Sequence, residues 1–272
     1  MMRGLVIKSV RETWVATLLY GVGMLFIMAG LTAIVPQVQG GFEEMWNQIP
    51  FVRTILAAFF GIGSDDAMTG RLLQAALLGH PMVLALVWAH GVQVCTRYPV
   101  GEIDRGTIDV LLGLPVSRRS VYFSETCVWL IGVFVIVVLG GVGHIVTGLS
   151  VPPEGGGLGL EEQLQILLML YCNGLAIGGL AFLASAVSDR RGRAIAFVFV
   201  VLVFSFLINF VAQIWPTFAP VGYVSVLKYF MPIEILRRGS LPWEDVAVLV
   251  GAAVACWVAG GEVLVRRSIR TT

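Results

Sequence analysis

Side chains able to do chemistry are few in this sequence of 272 residues, and their spacing limits what they can do. The histidines are His80, His90 and His144, and Met24 and Met28 lie one helical turn apart; these are residue types that hold copper. His80 precedes Pro81, however, in the position of a residue that caps a helix start, and methionine is ordinary apolar filler, so no metal site is assigned. His90 and Cys95 are five residues apart and share no helix face. Cys95, Cys127, Cys172 and Cys256 form no CxxC pair and read as small packing residues. Nucleophile, base and metal ligands do not converge at one depth, which argues against a membrane-embedded enzyme.

One segment does carry a pattern. From Glu102 to Arg118, Ile103, Val110, Leu111 and Leu114 recur at helical spacing while Asp104, Arg105 and Asp109 take other faces, as in a short amphipathic helix. Pro115 disfavours helix at Leu114, and Ser117 is a good N-cap for the helix that follows. Such a helix in an aqueous loop either docks into a groove on a cytosolic partner or lies on lipid, and the pattern by itself leaves both open.

The elements that position this segment cross a membrane. Hydrophobic residues make up 57% of the chain and charged residues 13%, with a mean hydropathy of +0.88, far from the composition of a soluble domain. Six charge-poor stretches, about 14–35, 73–95, 121–146, 164–187, 194–214 and 246–265, are each long enough to span a bilayer as a helix. The expected fold is therefore an all-α integral membrane protein, with residues 1–272 as one transmembrane domain.

Orientation follows from the cations. With both termini in the cytoplasm, 13 Lys and Arg lie inside and 5 outside, where ten acids also fall, so the positive-inside rule places both ends in the cytoplasm. The net charge of +1 offers no field for nucleic acid. Before the first span, Leu5, Val6 and Val10 alternate with Arg3, Lys8 and Arg11, which suits either an interfacial helix on the inner surface or a plain basic tail.

Within the spans, Asp, Glu, Lys and Arg avoid the middle third, Glu125 and Glu262 lying near cytoplasmic ends; this disfavours an ion pump or proton relay. Asn173, Asn209, Gln93 and Gln213 are expected to bond neighbouring helices. Gly174 and Gly178, and the repeat Gly251, Ala255 and Ala259, mark close helix packing within the subunit or across a dimer. Residues 50–62 and 221–239 are too short to span and too apolar to be solvated, so they should lie in the outer interface or dip into it. Residues 151–159, rich in Pro and Gly, read as a loop.

The run Glu102, Gly106, Thr107, Leu111, Leu112, Leu114, Pro115, Ser117, Arg118 resembles the loop signature of ABC-2 type transporter permeases, and the six-span layout is similar to theirs. The likeness extends to residues 229–239, Leu241-Pro242-Trp243 and the basic Arg266-Arg267, and the long outer segment after span 1 looks most like the branch containing the copper-maturation permease of nitrous oxide reductase and gliding-motility permeases. Glu125 departs from the family pattern, which often has Lys or Arg there.

The resemblance implies a permease subunit in a plasma (bacterial inner) membrane whose loop couples to a separate cytosolic ATPase, paired with a second permease copy or a related permease. Glu102 would anchor the coupling element, with Ile103, Gly106, Thr107, Val110, Leu111, Leu114, Pro115 and Arg118 completing it. It also implies a re-entrant hairpin closing the outer end of the pathway before span 6. The sequence contains no GxxxxGK[ST] loop to cradle phosphates, so ATP and magnesium would sit on the partner and this chain would bind no cofactor or metal. Apolar spans favour export of a hydrophobic or amphiphilic cargo. A non-transporting scaffold tying an ATPase to an envelope machine would keep the same docking helix.

Overall fold

The computed structural model describes residues 2–62 and 68–268. In chain order the helices are α1 (Met2–Gln48), α2 (Pro50–Phe60), α3 (Gly70–Leu78), α4 (Pro81–Cys95), α5 (Glu102–Asp104), α6 (Ile108–Leu112), α7 (Arg118–Ser150), α8 (Leu160–Val187), α9 (Arg191–Ile214), α10 (Pro232–Arg238) and α11 (Trp243–Arg266). Among the described residues there is no strand. Six helical stretches are long and apolar enough to cross a membrane: α1, α3 with α4, α7, α8, α9 and α11. Each expected span falls inside one of them.

Two expectations change in detail. The N-terminal residues do not form a separate interfacial helix; they are the first turns of α1, because Ser9 and Thr13 are buried on the bundle side and Ser9 donates to Glu125 of α7 at 2.6 Å. The second span is broken after Leu78. His80 takes an extended conformation and its Nδ1 accepts from the Met82 amide at 3.2 Å, capping α4 with Pro81 in the first helical position, where a missing N–H costs nothing.

Small residues set how closely the helices approach. α8 is the enclosed centre, with α4, α7 and α11 around it, and α1 runs along α7. A Cβ at Gly143 of α7 would lie 2.3 Å from the Leu25 carbonyl oxygen of α1, and one at Gly179 of α8 would lie 2.5 Å from the Ala253 carbonyl oxygen of α11. Gly174 and Gly178 serve α8's other side, where a Cβ would come within 2.7 Å of Val87 and 2.2 Å of the Trp129 indole. Gly251, Ala255 and Ala259 share the same four-residue spacing but are exposed on α11, facing away from the subunit.

Polar side chains cross-link the apolar bundle, as buried donors require. Trp88 donates to Asn173 at 2.7 Å, Thr17 bonds His90 at 3.0 Å, and Thr32 bonds His144 at 2.6 Å. Met24 and Met28 are buried against Gly140 of α7, so neither they nor the histidines form one cluster.

After α9, two 3-10 stretches, Pro216–Val224 and Val226–Tyr229, fold back along it. Ser225 donates to the Ser205 carbonyl at 2.7 Å, and the Val226 amide donates to the Ser205 hydroxyl at 2.9 Å. Ser205 lies nine residues before the end of α9, so at a rise of about 1.5 Å per residue the chain re-enters by roughly 14 Å. At the opposite end, the N-terminus, the α4–α7 connection, the turn before α9 and the end of α11 come together; we call this the basic end.

Candidate functional site

At the basic end the chain leaves α4 through a π turn, Arg97–Gly101, kinked at Tyr98 and containing a cis Tyr98–Pro99 bond. The kink is held from inside the bundle. Ser185 of α8, fully buried, donates to the Tyr98 carbonyl at 3.1 Å and accepts from the Val100 amide at 3.3 Å. Burial also raises the Tyr98 hydroxyl to about 12, so it stays neutral.

Arg97 is held by two helices. Its guanidinium donates to Glu125 of α7 at 2.5 Å and to Glu12 of α1, while Ser9 gives Glu125 its other hydrogen bond. The Arg97 and Glu125 side chains are 11% and 6% exposed, so this is a buried pair, whereas Glu12 remains solvent-accessible. One arginine thereby fixes the root of the loop to α1 and α7 together.

Beyond this clamp, the expected single helix over 102–114 is two short pieces, α5 and α6, separated at Gly106. Gly106 has φ +69°, in the left-handed region where a side chain costs about 1–2 kcal/mol, so glycine permits the break. Glu102 accepts from the Thr107 hydroxyl and pairs with Arg105 at 2.7 Å; it anchors the turn internally. Ile108 is buried in the core and holds α6 down. Val110 and Leu114, by contrast, are 74% and 50% exposed. Ile103 packs partly on the core, Pro115 is exposed, and the Leu111 and Leu112 side chains lie outside the described part of the structure.

The loop ends as its residue types predict. Ser117 caps α7 by accepting from the Ser120 amide at 3.1 Å. Arg118 turns inward and donates to the Leu264 and Arg267 carbonyls at 3.0 and 2.6 Å, tying the loop to the end of α11. Lys8, Glu12, Glu102, Arg105, Val110 and Leu114 surround a concavity of about 440 Å³ with charged walls and an apolar rim.

A family model described as an ABC-2 family transporter protein matches residues 6–260. The chain belongs to the ABC-2 transporter family. No curated protein matches it. As a member of that family it is a multi-pass transmembrane subunit, in agreement with its six apolar helices.

Within this ABC-2 subunit, the expected coupling residues separate into two groups. Glu102, Gly106, Thr107 and Arg118 shape and tether the loop, while Val110, Leu114 and Pro115 are presented outward. Sequence reasoning missed the tethers Arg97, Ser185 and Ile108. For Arg97 a signal existed: Glu125, an acid inside the start of a span, needs a cation, and Arg97 is a cation at the same end of the adjacent span. Ser185 carried none.

Proposed function

We propose that this chain is the permease subunit of an ATP-driven exporter, with the basic end in the cytoplasm of a plasma membrane and energy supplied by a separate ATPase docked on the loop between α4 and α7. The observation that carries this reading is the pairing of a clamped loop root with outward apolar side chains. Val110 and Leu114 stand exposed at the charged end of the molecule while Arg97 with Glu12 and Glu125, Ser185, and Arg118 fix the loop to α1, α7, α8 and α11. An apolar contact there gains roughly 25 cal/mol per Å² when covered, and a loop tied to α1, α7, α8 and α11 passes the partner's movement into the spans. A second copy or a related permease completes the transporter, the ATPase carries ATP and magnesium, and a hydrophobic or amphiphilic molecule is the cargo.

The test is purification of the tagged chain from its native membranes in mild detergent. A soluble ATPase should accompany the wild-type chain, and the double variant Val110→Asp with Leu114→Asp should lose it while melting at an unchanged temperature. Equal recovery of the ATPase with that variant overturns the docking assignment.

A further inference from the structure

At the basic end α8 and α11 both stop beside the loop, and the last carbonyls of a helix have no partner within it. Two arginines take these carbonyls up in series. Arg118, at the far end of the loop, donates to the Leu264 and Arg267 carbonyls at 3.0 and 2.6 Å. Arg267 turns its own guanidinium to the end of α8, donating at 2.8 Å to each of the Ala186 and Ser188 carbonyls and pairing with Asp189. A cation there faces the negative end of the helix dipole, and the guanidinium fork lets one side chain hold all three acceptors.

The root of the loop reaches the same place by another route. Ser185, next to Ala186, holds Tyr98 and Val100, and Arg191, the first residue of α9, donates to the Gln93 carbonyl at 2.9 Å and the Thr96 hydroxyl at 3.3 Å. The end of α8 and the turn into α9 are thus bonded to the loop root through Ser185 and Arg191. Among the described residues, the hydrogen bonds that join the far end of the loop to this turn all pass through Arg267. With it in place the loop and residues 185–191 form a closed ring.

We propose that Arg267 is a positioning residue for the ATPase contact: it joins the far end of the loop to the turn between α8 and α9, so that a displacement of the loop carries the start of α9 with it. Charge-assisted bonds to fixed carbonyls suit this task because they are strong and directional. α9 is placed to follow, since Ala194, Val198 and Ser205 are the buried residues among its 24 and little packing holds it back. α11 and α8 also meet in mid-membrane, where Gly179 packs on Ala253, but that contact lies far from the loop and cannot register its movement. The role assigned to Arg267 rests on the docked-ATPase reading, whereas the ring of bonds does not.

Hydrogen exchange of the purified chain in mild detergent tests the ring without an ATPase. Arg267→Ala should speed exchange about tenfold or more at residues 186–192, which its side chain holds, and about twofold or more at residues 114–120, which it does not touch. Arg118→Ala should show the converse, because coupling is reciprocal. The double variant should exchange no faster than the more damaging single one, since both break one series of bonds. Arg267→Lys keeps the cation without the fork and should fall between alanine and wild type; it carries the test if Arg267→Ala does not fold. Effects confined to the segment each side chain touches, adding in the double variant, overturn the ring. On the complex with its co-purified ATPase, trapping with ATP and vanadate should change exchange at 114–120 and 188–192 in wild type, but at 114–120 alone in Arg267→Ala. An unaltered response at 188–192 in that variant overturns the role of Arg267. A wild-type chain that brings down no ATPase refutes the docking reading and with it that role, while exchange on the chain alone still decides the ring.

Discussion

Replacing Arg97 by alanine should be among the most damaging single changes at the basic end, and the structure gives the size of the effect. Arg97 meets two carboxylates of unequal weight. Glu12 is largely solvated, and such a pair contributes about 0–1 kcal/mol. Glu125 is buried, with Ser9 as its other partner and its Oε2 left unbonded, so removing the arginine strands a buried charge at a cost of about 3–5 kcal/mol. At roughly 2–4 °C per kcal/mol for a chain of this size, Arg97→Ala should lower the melting temperature by about 10 °C in detergent. Glu12→Ala should lower it by about 4 °C or less. The double change Arg97→Met with Glu125→Leu removes both charges and should recover most of the loss. A melt of Arg97→Ala close to wild type, or a double variant no more stable than the single one, would refute the claim that a buried pair clamps the loop.

Glycine positions with the same sequence pattern should respond in opposite directions. Gly178→Ala drives a methyl to within 2.2 Å of the buried Trp129 and should cost about 1–3 kcal/mol, whereas Gly251→Ala meets nothing within 4 Å and should be neutral or gain up to about 1 kcal/mol; thermal melts of the two variants decide this. Ser185→Ala leaves the Tyr98 carbonyl and the Val100 amide without their buried partner, so it should cost about 1–3 kcal/mol and speed hydrogen exchange over residues 98–104.

What the sequence determined here is what local chemistry determines. Hydropathy and length place six spans because a helix must bring about 20 apolar residues through the bilayer whatever its neighbours are. The caps at His80 and Ser117 were legible because each bonds an amide within three residues. The loop between α4 and α7 was visible as a pattern and as a family resemblance, and its exposed Val110 and Leu114 were among the residues singled out.

Tertiary structure decided the rest, because periodicity defines a face but not what meets it. Gly174 with Gly178 and Gly251 with Ala255 are alike in sequence, yet the first pair packs on Val87 and Trp129 while the second is exposed. The amphipathic reading of residues 102–114 predicted one helix; burial of Ile108 and the bonds from Glu102 to Thr107 and Arg105 favour a break at Gly106, which a helical period cannot reveal. Ser9 and Glu125 are 116 residues apart, and Arg97 becomes their neighbour only when α1, α4 and α7 assemble.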